Sequence, residues 1–91
     1  LNRWRVNLPA QMPLTMLQEG KGCRISEVRA GAELRRRLIE MGFTPSSSVR
    51  LIGCERGNLL VNVNGARYAL GKGMAMKIMV EPDSFEGAEI G

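Results

Sequence analysis

Only one stretch of this chain carries a long helical pattern, and it constrains everything around it. Leu34, Leu38 and Met41 recur at steps of four and three, and at about 100° per residue they fall on one narrow arc. Arg36 and Glu40 fall on the far side. The spacing predicts an amphipathic helix from about Ala32 to Met41. Gly31 is an acceptable N-cap, and Glu33 in the first turn complements the positive end of the helix dipole. Gly42 can take the left-handed backbone that ends a helix, and Pro45 cannot continue one. A single short helix cannot bury its apolar stripe alone, so the stripe must lie on strands.

The rest of the chain supplies them. Short strands are predicted over Cys23 to Arg29, Ser48 to Glu55, Leu59 to Val63, Ala66 to Leu70, and Lys77 to Val80. In the first, Ile25 and Val28 are three apart, so alternation breaks through a bulge. Asn64-Gly65 is the favoured pair for a type I′ hairpin loop, because both positions need positive φ. Pro13 to Leu17 crosses the sheet as a strand or a single turn, and Met74-Ala75-Met76 forms one helical turn. Five short strands, with the helix between the first and second, predict a mainly β fold closed into a small barrel. Closure would remove the exposed edges. Residues 12–82 form the folded unit. Residues 1–11, with Trp4 and Pro9, read as a flexible extension or as a basic arm that grips a partner. Residues 83–91 read as an acidic, flexible tail.

Composition narrows the function. Ninety-one residues allow one domain. No run approaches the roughly 18 apolar residues of a membrane span, and the N-terminus lacks a signal-peptide core, so a cytoplasmic protein that is not membrane-embedded is expected. There is no histidine, and Cys23 and Cys54 stand far apart. They read as small core residues. A zinc site takes three or four protein ligands, so no cofactor is evident. Weak iron or zinc binding by Cys and carboxylates of two chains in a homodimer stays open. Gly71-Lys72-Gly73 lacks phosphate-loop spacing, and no nucleophile motif or paired carboxylate segment is present, so no enzyme is expected. The net charge of +4 admits a nucleic-acid-binding barrel as an alternative. Tyr68 and Phe43 are its only stacking candidates in the barrel, so nucleic acid is not expected.

Several features occur in a fixed order. Arg37-Leu38-Ile39-Glu40-Met41-Gly42-Phe43-Thr44-Pro45 follows a Gly-containing junction. A Val-containing strand comes next, then the Asn-Gly hairpin, Tyr68-Ala69-Leu70, and Ala75-Met76-Lys77-Ile78-Met79-Val80. This order resembles the FeoA family, small accessory proteins of bacterial ferrous iron transport. It is also similar to the C-terminal regulatory domain of metal-responsive repressors of the diphtheria-toxin-repressor type. The resemblance covers about Pro13 to Glu81. It implies an SH3-like barrel, a cytoplasmic location, and a protein partner, the membrane transporter FeoB with its cytoplasmic GTP-binding domain. Where the family often has Gly after the proline, this chain has Ser46, which implies a different turn over Thr44 to Ser47. Where it often has a basic or polar residue after "A-L", this chain has Gly71, which offers no side chain to a partner.

Candidate partner contacts follow. Arg37 can pair with Glu33 or Glu40, leaving Arg35 and Arg36 with fewer acidic neighbours. The alternative is a solvated, self-paired helix face. Ile39 lies off the apolar arc, on the side of Arg35, and is either covered by the N-terminal segment, the favoured reading, or an exposed apolar contact. Met74, Met76 and Met79 either pack or present an adaptable apolar surface. The proposed docking residues are Arg35, Arg36, Leu60, Met74 and Met76.

Overall fold

The computed structural model describes residues 11–83. The expected N-terminal arm and acidic tail, apart from Gln11 and Asp83, lie outside the described residues. The chain begins with β1 (Met12–Pro13) and a 3-10 turn (Leu14–Met16), followed by β2 (Gly22–Val28) and α1 (Ala32–Glu40). Then come β3 (Ser48–Glu55), β4 (Asn58–Val63), β5 (Ala66–Gly71), α2 (Lys72–Ala75) and β6 (Ile78–Pro82). The strands form one six-stranded antiparallel sheet in the order β1-β6-β2-β3-β4-β5.

The expected five strands are all present. The sixth, β1, is the first part of the apolar segment after Gln11, and it pairs Met12 with Val80. Closure differs from expectation. No ladder joins β1 to β5, so the sheet has two edges. The seam between them is bridged by packing, with α2 against β4, β5 and the 3-10 turn. The helical turn begins at Lys72, slightly earlier than predicted.

Alternation builds the core. Leu59, Val61 and Val63 of β4 point inward, and Val49 and Leu51 of β3 meet them. Leu14, Cys23, Ile25, Ile78 and Val80 are interior as well, and no polar side chain is buried among the described residues. The expected bulge in β2 lies between Ile25 and Glu27. A second one, between Leu51 and Gly53, had no signal in the sequence.

α1 ends as the sequence predicts. Leu38 is fully buried, and Leu34 and Met41 are half-buried against the core. Gly42 takes φ +109°, and the Phe43 N–H donates to Leu38 O at 2.9 Å. Asn64 and Gly65 both have positive φ, as a type I′ loop requires. Arg56 and Gly57 share that sign, so a second such loop joins β3 to β4.

Ile39 is 41% exposed, and the N-terminal segment expected to cover it lies outside the described residues. Its position lies outside the Leu34–Leu38–Met41 arc. The turn over Thr44 to Ser47 favours glycine at its third position, where this chain has Ser46. Ser46 adopts φ +78°, and the Ser47 N–H donates to Thr44 O at 2.9 Å. That is the positive φ a type II turn needs at its third position, with proline at the second. The ladder on both sides holds Ser46 there: its N–H donates to Ile25 O at 2.8 Å, and Ser47 O accepts from the Ile25 N–H at 2.9 Å. An L side chain at this φ costs roughly 1–2 kcal/mol, part of which glycine returns as unfolded-state entropy. Ser46→Gly is therefore expected to raise unfolding free energy by about 0.5–1 kcal/mol in urea titration. A destabilised variant would show that the serine side chain contributes more than its backbone strain costs.

Candidate functional site

The five residues proposed for docking fall on three surfaces. Arg35 and Arg36 are exposed on α1. Arg36, expected to be among the less-paired arginines, donates to Glu40 Oε2 at 3.1 Å. The i, i+4 spacing that offered Arg37 to Glu33 serves Arg36 and Glu40 equally well, and the far-side pair is the one formed. Exposed pairs of this kind contribute about 0.5 kcal/mol or less, so the helix is self-paired only in part. Arg35 has no ion pair among the described residues and stands one turn before exposed Ile39.

Leu60 lies on the outer face of the sheet. Register places Arg50, Asn62 and Arg67 in one cross-strand row on that face. The next row carries Leu60 beside Ala69, with Ile52 displaced by the bulge and 37% exposed. A shallow hollow of about 280 Å³ opens there, lined by Glu55, Arg56, Asn58, Leu60 and Ala69. The Arg50 guanidinium is anchored, donating to Gly20 O at 2.7 Å.

The methionines divide. Met74 is half-buried and packs against the core, which removes most of it from a docking surface. Its neighbour Ala75 is fully buried, so this side of α2 plugs the seam. Met76 is 59% exposed. Met16, which sequence reasoning did not single out, is 66% exposed on the 3-10 turn beside α2. Exposed Lys72 and Lys77 stand at the same end of the barrel. The Arg29 N–H donates to Lys77 O at 2.7 Å, which brings the approach to α1 beside the exit of α2. One end of the barrel thus joins two exposed thioethers with basic residues. A lone exposed Met in a short turn leaves no periodic signal. Arg67 alternates with Tyr68 and Leu70, a signal the sequence did carry, but it was not among the residues proposed for docking.

Among the described residues, no three Cys, Asp or Glu side chains cluster to hold a metal ion. Cys23 and Cys54 are free thiols, the first buried and the second exposed, so only Cys23 fits the expectation of a core residue. Burial pushes the Cys23 thiol up to about 12, and the carboxylate of Asp83 adds to the shift. Asp83 is held beside it by its N–H bond to Gly22 O at 3.0 Å. No helix among the described residues is long and apolar enough to cross a membrane.

Comparison with known proteins places these features in context. The FeoA domain model matches residues 12–82, which is the whole described barrel. A Methanocaldococcus jannaschii protein provisionally named Fe(2+) transport protein A is 33% identical over 75 residues, covering 82% of this chain and 92% of that protein. The crystal structure of zinc-complexed FeoA from Stenotrophomonas maltophilia, described as an SH3 domain protein, superposes with a TM-score of 0.71 at 27% identity. It covers 79% of this chain and 95% of that one. T. acidophilum IdeR shares the fold alone, at 24% identity and a TM-score of 0.73. That match covers 82% of this chain and 35% of IdeR.

The thiols give a direct test. Cys54 is expected to react with a thiol reagent in the folded protein at pH 8, and Cys23 only after unfolding. The folded-state pKa of Cys23 is raised, so its contribution to stability is full below about pH 9 and is lost as pH rises toward 12. Urea titrations across that window should show the decline, and Cys23→Ala should flatten it. Two thiols modified in the native state would contradict the burial of Cys23.

Proposed function

Because the chain belongs to the FeoA family, we propose that it is a small cytoplasmic, non-enzymatic accessory protein of ferrous iron transport. Its partner in this reading is the cytoplasmic GTP-binding part of an FeoB-type membrane transporter. The observation that carries the proposal is the family match across the entire barrel, residues 12–82. The surface chemistry agrees with a protein partner. Thioethers suit contacts that must re-pack, and Met16 and Met76 sit exposed beside lysines that would steer an acidic surface. Phe43 is buried and Tyr68 is half-buried against it, with ring centroids 5.9 Å apart. Neither offers a platform for nucleobases, which favours protein over single-stranded nucleic acid.

Regulation needs no chemistry from this chain. A bound partner shifts a two-state transporter only by the difference in its affinity for the two states. Ferrous iron is the transporter's cargo in this scheme and need not touch the barrel. The zinc in the Stenotrophomonas maltophilia structure belongs to that protein.

The test is co-purification of this chain with the transporter, together with ferrous iron uptake in its presence and absence. Met76→Asp is expected to weaken binding at least tenfold, about 1.4 kcal/mol or more, while leaving the unfolding midpoint in place because the side chain is exposed. Absence of a complex, with uptake unchanged, would refute the proposal.

A further inference from the structure

The edge of β5 away from β4 carries no ladder among the described residues, and α2 packs against the strand where the two join. Val63 pairs with Ala66 across the two-residue Asn64-Gly65 loop, which makes them the first hydrogen-bonded pair of the hairpin. Bonding then alternates. Ala66, Tyr68 and Leu70 turn their backbone groups to β4. Arg67 and Ala69 turn both N–H and C=O to the outer edge, and Gly71 turns its N–H there. No strand pairs with that edge among the described residues.

Proteins usually blunt such an edge with proline, a bulge or several charges. β5 reads ARYALG and has none of these except Arg67, and its register with β4 is unbroken. Both register shifts of the sheet lie elsewhere, in β2–β6 and β3–β4. At Gly71 there is no side chain to obstruct an incoming backbone.

We infer that β5 accepts an extended segment of the partner as an added strand, with a carboxylate opposite Arg67 and an apolar residue two positions away opposite Ala69. The inference rests on the transporter reading above for the source of the segment. Main-chain bonds to the edge supply affinity, and alternate side chains supply selectivity. The carboxylate follows from charge: Arg67 has no ion pair among the described residues, and Arg50 lies in the same cross-strand row. The apolar residue follows from shape, since Leu60 and Ala69 are the apolar residues lining the adjoining hollow, beside Glu55, Arg56 and Asn58. This chain's own residues 1–10 carry Arg3 and Arg5, the wrong sign for that row. A second copy would bring its own Arg67 to the same edge.

Amide hydrogen exchange at single-residue resolution tests this on the full chain, free and bound to the intact transporter in detergent. In the free chain the amides of Arg67, Ala69 and Gly71 should exchange much faster than those of Tyr68 and Leu70. In the complex they should slow at least tenfold, and Arg67→Glu should weaken binding at least tenfold. Binding that leaves the three edge amides unchanged overturns the inference while the proposed function stands. Edge protection already present in the free chain assigns the site to the acidic C-terminal residues or to a second copy, and also overturns it. No complex at all refutes the functional reading, and this inference with it.

Discussion

Phe43 leaves α1 through a glycine and ends wholly inside the barrel, its ring tilted at 50° to that of Tyr68. That burial joins the helix to the hairpin. Leu38 on the last turn is fully buried too, and its carbonyl receives the Phe43 N–H. Gly42 makes the reversal possible, with φ +109° and the Asn64 side chain so near that an added Cβ would lie 2.9 Å from its nitrogen. A chain of this length buries little surface, so it depends heavily on its few large interior side chains. Loss of the Phe43 ring would uncouple α1 from β4–β5 and leave the Leu34–Leu38–Met41 stripe without a floor.

Interior and exterior are sharply divided. Among the described residues the buried side chains are apolar throughout, so the core asks for no polar network. The polar side chains of the strands lie on their outer faces. Alternation gives each strand both roles: Leu59, Val61 and Val63 hold β4 in the core, while Leu60 and Asn62 face outward from it. A binding module made in this way can change its outer face with little cost to its fold.

Much of this was legible in the sequence because it depends on local rules. The helix and its exit followed from period, Gly42 and Pro45, and the Asn64-Gly65 loop followed from its φ requirement. What escaped was set by tertiary context. Arg56 takes a left-handed conformation because the β3–β4 ladder leaves two residues for the loop, and no local preference of arginine announces it. Ser46 keeps a turn that glycine would make more easily, because Ile25 bonds the chain on both sides of it. The exposures of Met16 and Ile39 depend on what covers them, which neither residue encodes. The outward placement of Leu60 was legible through alternation; Arg67 alternates in the same way but was not proposed for docking. The candidate site was illegible at Met74, whose packing depends on where α2 meets the seam.

That seam is where these properties meet. Bulges in β2–β6 and β3–β4 add twist and coil the sheet toward closure, yet the regular β4–β5 ladder stops short of β1. Hydrogen bonds cannot complete the barrel, so packing of Met74, Ala75 and Leu14 does. Packing closes the interior but satisfies no edge backbone groups. The consequence is a fold that is finished on the inside and unfinished on the outside, along one line. Met16 and Met76 lie on the plug at one end of that line, and the bare backbone of β5 borders it. A partner that supplied a strand and an apolar contact there would complete what the chain's own hydrogen bonding leaves open.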